Sequence, residues 1–341
     1  MGGTYKTIGI NLKSTPLGES DRLLTVLSNE FGLVRMVAPG ARKHKSSLGG
    51  RSSLFVVNEL LVAKGRTLDK IVQAETLESF PGISQNLAKL TAAQYLAELV
   101  LFQALSDQSQ AELLCLFREH LSRIEQFPAD YTLPSLTHAT FHLLALAGLT
   151  PQLHTCGISQ RPIELTRLEP WEQAHGVAFS ATVGGLIWLD ELARSTANLP
   201  ISKAAASTAT YTVGTASETT GETGSRSNLN QPGSRSAASQ PQPILKSAQR
   251  AKNADLLTPL DSTTLHLLQQ LTQSHFIEVA IQTRSAVLDL DYRQNWLAIE
   301  RILRQYAQYH FDRPIRSAAL IDVCFPLADA PSPCVNHDAI V

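Results

Sequence analysis

The side chains best placed for chemistry lie between Gly32 and Arg51, in the stretch GLVRMVAPGARKHKSSLGGR. A strand-like run from Leu33 to Ala38 carries Arg35 and is broken by Pro39-Gly40. Beyond the break come Arg42, Lys43, Lys45 and Arg51, with His44 among them and no acid between. Each lysine or arginine that meets a phosphate releases a condensed counterion, so a cationic loop hung on a strand suits a polyanionic partner. Ser46, Ser47, Gly49 and Gly50 are expected to keep the loop mobile. The competing reading is a solvated surface loop. Arg35, Arg42, Lys43, Lys45 and Arg51 are therefore the candidate nucleic-acid contacts.

Two further groupings could hold a metal. Asp289-Leu290-Asp291 places two carboxylates on one face of a strand, the pair a metal-dependent nuclease would need, although no further acid cluster accompanies it and a solvated edge explains it as well. His138 and His142 are four apart on a helical pattern and share a face, with His154 and Cys156 following. Two histidines, a third and a thiolate could bind zinc, whereas helical histidine pairs are more often half-buried or solvated. The intervening Ala-Thr-Phe lacks the glutamate of a metalloprotease, and no phosphate-cradling G-x-x-x-x-G-K, no G-x-G-x-x-G and no G-x-S-x-G is present. The chain reads as a binding protein rather than an enzyme, with no cofactor expected.

The 341 residues can supply two domains, and the net charge of −1 hides an uneven distribution. Residues 1–75 hold 11 Lys and Arg against 6 Asp and Glu, and residues 193–254 hold 7 against 2. The rest of the chain is acidic, so an anionic partner is expected at one end. The N-terminus lacks a signal-peptide core, position 6 is Lys where a myristoylation site requires Ser or Thr, and no apolar run approaches a membrane span. Cys115, Cys156, Cys324 and Cys334 are too scattered for a secreted disulfide framework. These features predict a cytoplasmic chain with no membrane partner.

The elements that must position these residues follow from periodicity. Strands are predicted at Tyr5–Lys13, Arg22–Ser28, Leu33–Ala38, Leu54–Ala63 and Lys70–Phe80, separated by Pro- and Gly-bearing turns. Five short strands in about 75 residues suit an OB-fold barrel, which binds single strands through a cationic groove and stacking aromatics. Aromatic residues are sparse (Tyr5, Phe31, Phe55 and Phe80), so charge carries more of that expectation. Helical patterns follow at Ser84–Leu105, at Glu112–Ile124 with Leu114, Phe117, Leu121 and Ile124 on one stripe, and at Pro134–Ala147, for which Thr132 is the expected cap. Residues 153–192 are less regular. Residues 193–254 are too polar to offset their ordering entropy and are read as a disordered insertion whose deletion leaves stability unchanged. Helices return at Leu260–Thr272 and Trp296–His310, and the tail from Pro326 is short and proline-bearing.

Taken together, Ile8 to Lys13, Gly18 to Thr25, Phe31-Gly32-Leu33, Ala38 to Lys43 and Ala74-Glu75 resemble, in order and spacing, the N-terminal domain of the RecO family of bacterial recombination mediators. Tyr95 to Leu99, Gly148 to Cys156 and Arg313 to Ser317 are similar to the family's helical body and close. The resemblance excludes the insertion and implies an OB-fold followed by a helical domain, often with a zinc-finger-like element. With the pattern of the chain this gives an α+β protein: an OB-fold (1–80), a helical domain (81–192) with a zinc-finger-like segment at about 153–192, the insertion (193–254), a continuation of the helical domain (255–325) and a flexible tail (326–341). It further implies binding to single- and double-stranded DNA, annealing of complementary strands and help in loading RecA where single-stranded DNA-binding protein coats the substrate. RecR, RecF in many bacteria and the acidic C-terminal tail of the single-stranded DNA-binding protein are the implied partners, and the nucleoid the implied location. A general OB-fold single-strand DNA- or RNA-binding protein and the nuclease remain as alternatives.

This sequence departs from the zinc-bearing pattern. The first Cys-x-x-Cys is reduced to Cys156-Gly-Ile-Ser159, and Gly184 to Trp188 stands where the second would fall. The remaining ligands make no tetrahedral cage. The helix before this segment offers only His138 and His142 as cations for an acidic tail, which predicts docking that strengthens below about pH 6.5.

Overall fold

The computed structural model describes residues 3–163, 176–197, 257–283, 285 and 292–326. Asp289, Asp291, Cys334 and most of the 193–254 stretch lie outside the described residues.

Alternation of apolar and polar residues closes the first strands into a barrel. β1 (Thr4–Leu17), β2 (Asp21–Ser28), β3 (Gly32–Ala38), β4 (Val57–Ala63) and β5 (Asp69–Glu78) follow the order β1-β2-β3-β5-β4, with β4 returning to β1. All pairings are antiparallel except β3 with β5, where Met36 lies opposite Asp69 and Val37 opposite Lys70. This is the OB-type barrel that the strand spacing predicts. Leu24, Val26, Met36, Ala38, Leu60, Val62, Ile71 and Ala74 fill its interior. A second set, Ile10, Leu12, Leu27, Phe55, Val57 and Phe80, joins the core of the helical body.

That body begins with the short α1 (Pro81–Ser84) and α2 (Leu87–Gln103), which is capped by Asn86 accepting from the Lys89 amide at 3.1 Å. α3 (Ala111–Gln126) and α4 (Thr132–Leu146) pack against α2 and against each other. Thr132 is the first residue of α4 rather than its cap. Its hydroxyl is buried and caps nothing, because a single 3-10 turn at Ala129–Tyr131 leads directly into the helix.

The segment expected to be irregular contains order that local pattern does not reveal. β6 (Val177–Ser180) pairs on one side with β7 (Gly185–Trp188) and on the other with β8 (Leu257–Leu260). α5 (Leu189–Ala197) follows β7 and includes the opening residues of the stretch read as an insertion. α6 (Ser262–Gln270) starts at Asp261, whose carboxylate accepts from the Thr264 amide at 2.6 Å. α7 (Phe276–Gln282), α8 (Arg293–Phe311) and α9 (Ala318–Cys324) complete the body. Among the described residues no helix is long and apolar enough to cross a membrane.

A short stretch of backbone joins the two parts. Gly32 sits at φ +64°, and a Cβ there would lie 2.0 Å from the Leu105 carbonyl oxygen. The loop after α2 thus runs tight along the β2–β3 turn. The Leu33 amide donates to Leu105 O at 2.8 Å, the Asp107 amide to Phe31 O at 3.0 Å and the Gln110 amide to Asn29 O at 3.0 Å.

Candidate nucleic-acid interface

The cationic loop is a chain of hydrogen-bonded turns, not the mobile arm expected from its glycines and serines. The Lys43, Ser46 and Gly49 amides donate to the carbonyls of Gly40, Lys43 and Ser46 at 3.0, 3.1 and 3.2 Å. A 3-10 turn at Gly50–Ser52 follows. Ala41 and Leu48 point inward and cap the barrel core, so they hold the loop to the barrel by burial. From the opposite side, the buried amides of Asn11 and Asn58 donate to the Arg51 carbonyl at 2.7 and 3.0 Å. Phe55, buried at φ +62°, ends the loop with its ring 6.4 Å from that of Phe117 on α3. A left-handed phenylalanine costs roughly 1–2 kcal/mol, and this packing on the body offsets it.

On this scaffold Arg35, Arg42, Lys43 and Lys45 are exposed and Arg51 is half-buried. Arg42 donates to the Gly18 carbonyl at 2.9 Å and Arg51 to the Ser47 carbonyl at 2.7 Å, so both guanidinium groups are oriented while keeping their charge free of carboxylates. No salt bridge involves any of the five among the described residues. The fold adds Lys70, which the linear pattern does not point to. The parallel β3–β5 pairing brings it to the same end of the barrel, where Lys70 and Lys43 both act on Asp21. Asp21 is the acid that both lysines act on. Its carboxylate accepts from the Gly40 amide at 2.7 Å and from the Ser20 hydroxyl at 2.8 Å, and these bonds, with the two lysines, hold it below the usual carboxylate range.

Of the four barrel aromatics, Phe55 and Phe80 are core residues. Tyr5 and Phe31 meet edge to face at 4.7 Å, and Phe31 keeps 37 % of its surface exposed. Phe31 alone among these rings offers a stacking surface. The arrangement favours phosphate contact over base readout.

The zinc-finger-like segment retains its turn but not a metal's donor set. Residues 152–163 fold back on 184–186, with the Gly157 amide donating to Leu186 O at 2.8 Å and the Gln160 amide to Cys156 O at 2.8 Å. The Glu191 carboxylate occupies the focus. It accepts from the buried Cys156 thiol at 3.3 Å, from the Arg161 guanidinium at 3.0 Å and from the Ser159 hydroxyl. These bonds, that from Ser159 foremost, hold Glu191 below the usual carboxylate range. One thiol with a guanidinium cation beside it does not fit zinc, which takes four ligands and no neighbouring positive charge. A carboxylate hub does the cross-linking instead.

The histidines divide differently from the set read in sequence. His154 is exposed, and Cys156 is committed to Glu191. His138 and His142 are joined instead by His120 from α3, with ring centroids at 5.9 Å (His120–His138), 5.2 Å (His120–His142) and 4.1 Å (His138–His142). His120 and His138 are fully buried and His142 half-buried. Burial pushes His138 down to about 3 and lowers the other two. Of the two histidines expected to form a cationic face for an acidic tail, His138 is buried in the core and His142 half-buried, and burial disfavours the charged form of both.

These features can be set beside known proteins. Residues 1–80 match the family model described as Recombination protein O N terminal, and residues 84–222 match Recombination protein O C terminal. The chain is 43 % identical over 349 residues to the DNA repair protein RecO of Nostoc sp., covering all of both chains. It is 44 % identical over 345 residues to that of Nostoc punctiforme, again over both full lengths, and 44 % identical to that of Gloeothece citriformis, over 96 % of this chain and 99 % of the other. An OB-type barrel with a cationic turn system, fused to a helical body and matched end to end by these relatives, places the chain in the RecO family of DNA repair proteins.

Proposed function

We propose that the chain is a non-enzymatic recombination mediator whose barrel binds single- and double-stranded DNA, anneals complementary strands and assists RecA loading on DNA coated by single-stranded DNA-binding protein. One observation carries this reading: Arg35 on β3 and Arg42, Lys43 and Lys45 on the turns that follow it are exposed, free of salt bridges, and held in place by strand pairing, burial and hydrogen bonds. Cations held in position and not neutralised by the protein meet phosphates without an ordering cost in the backbone. Two strands drawn to one such surface are relieved of their mutual repulsion, which is what annealing requires. Residues 1–80 serve DNA in this proposal. Residues 81–192 and 255–325 serve RecR, RecF where present, and the acidic tail of the single-stranded DNA-binding protein, and residues 193–254 add diffuse attraction through their seven cations.

The test uses labelled complementary oligonucleotides and the full chain. Each phosphate contact contributes about 0.7 to 0.9 to the slope of log affinity against log salt, so Arg42→Ala/Lys43→Ala/Lys45→Ala flattens that slope by roughly 2 to 3 units and slows annealing. An unchanged slope would move the DNA to another face of the barrel. Metal-dependent cleavage of the oligonucleotides would replace the mediator by a nuclease.

A further inference from the structure

Among the described residues, His120, His138 and His142 are the one group of potential metal ligands that gathers in space, with a nitrogen from each lying within 4.8 Å of the others. Two observations separate this trio from an ordinary histidine contact in a core. First, buried ring nitrogens are left over: Nε2 of His120 and Nδ1 of His138 have no hydrogen-bond partner. Buried polar atoms in folded proteins are almost always paired, so two orphans on adjoining imidazoles mark a place where something polar belongs. Second, the other nitrogen of His138 is already spoken for. Its Nε2 lies 2.9 Å from the Gln273 carbonyl, which can only accept, so Nε2 carries the proton and Nδ1 presents a bare lone pair. His142, one turn further along α4, lies with its ring centroid 4.1 Å from that of His138. An imidazole that donates one N–H to a backbone carbonyl and turns its other nitrogen inward has the arrangement of a metal-bound histidine.

We propose that His120, His138 and His142 form a transition-metal site, most simply for zinc, that clamps α3 to α4 under the Leu271–Gln273 turn. Three imidazoles with one open position match a zinc site, and imidazole suits zinc better than it suits magnesium or calcium. Zinc–nitrogen bonds of about 2.1 Å in a tetrahedron place the nitrogens about 3.4 Å apart, so small ring rotations close the group on an ion. His142 is the half-buried member and opens the fourth position to solvent. The surrounding charge permits a cation. Arg123 is close, but it is held by Glu119 at 2.6 Å and Glu278 at 2.5 Å, two carboxylates to one guanidinium. This site shares no residue with the Cys156 turn, where the hub of Glu191 excludes a metal.

The experiment is zinc titration of the full chain after chelator treatment and dialysis, followed by calorimetry and thermal unfolding. One zinc per chain is expected, with a melting temperature that rises on saturation. His142→Gln at the accessible position and His120→Gln each weaken zinc affinity at least tenfold and abolish the rise, while the exposed His154→Gln changes neither. Cobalt supplies a second readout that does not depend on the variants folding well: the expected spectrum has tetrahedral visible bands and no thiolate charge-transfer band. Zinc affinity equal in wild type and His142→Gln, absence of zinc binding in the wild type, or a thiolate-to-cobalt band would each overturn the proposal.

Discussion

The barrel and the helical body handle charge in opposite ways. The barrel is aliphatic inside and keeps Arg35, Arg42, Lys43 and Lys45 on its outside, exposed and in no salt bridge among the described residues. The body takes charge inward. Glu300 on α8 is buried, and Arg304 binds both of its oxygens while donating to Asp322 on α9 at 2.9 Å through each of two nitrogens. Arg123 bridges α3 to α7 through Glu278, and Glu191 gathers the 152–163 turn. An exposed cation costs the fold little and remains available to a polyanion. A buried one is tied to its counter-charge and is part of the scaffold. The same residue types are therefore free on the surface in one half and part of the architecture in the other, which is why the proposed recognition falls to the barrel.

The largest test of this contrast is Glu300→Ala. It removes the buried partner of Arg304, which keeps only the half-exposed Asp322, and opens a cavity. Breaking a fully buried pair costs about 3–5 kcal/mol, and a loss of about 2–4 kcal/mol is expected here, to be read by denaturant unfolding. A loss below about 1 kcal/mol would mean that the body's charges are as dispensable as the barrel's. Next comes Gly32→Ala, which forces a positive φ and drives a Cβ against the Leu105 carbonyl. A destabilisation of about 2–3 kcal/mol is expected from the backbone strain and displacement, and crystallography of the variant would show the α2–α3 loop displaced.

Glu191→Gln sharpens the contrast through pH. The folded Glu191 carboxyl lies below its ordinary value, so the unfolded chain binds more protons there as the medium acidifies. Its contribution is present above the unfolded value of about 4.5 and is lost as pH falls through the folded one. The variant lowers the melting temperature by a few degrees at pH 7 and melts closer to wild type toward pH 3. A constant difference across that range would refute a hydrogen-bonded carboxylate hub. The smallest expected effect on stability belongs to the loop: Arg42→Ala/Lys43→Ala/Lys45→Ala stays within about 0.5 kcal/mol of wild type, although the same change has the largest effect on DNA.

What the sequence discloses follows the same division. The barrel strands, the turn at Asn29–Gly32 and the cations of the loop are legible because alternation, turn chemistry and charge are local. Lys70 is not, since only the parallel pairing with β3 sets it opposite Val37, at the end where it and Lys43 both act on Asp21. His120 belongs to a helix whose apolar stripe says nothing of the imidazoles it meets on α4, so His154, nearer in sequence, draws attention in its place. β8 is four residues long, and its partner β6 lies some eighty positions earlier, too remote for any pattern in either strand to announce the pairing. Glu191 is an unremarked acid in a first turn until the fold sets it opposite Cys156.

The seam at Gly32 has a mechanical consequence. With the β2–β3 turn bonded to the loop after α2, and Phe55 seated on Phe117, the barrel and the body meet through backbone and core rather than through a hinge. If the outer turns grip a nucleic acid, as we propose, tension in it passes straight into the α2–α3 corner. A partner bound to the helices would then feel the load on the strand as force, with no slack between them.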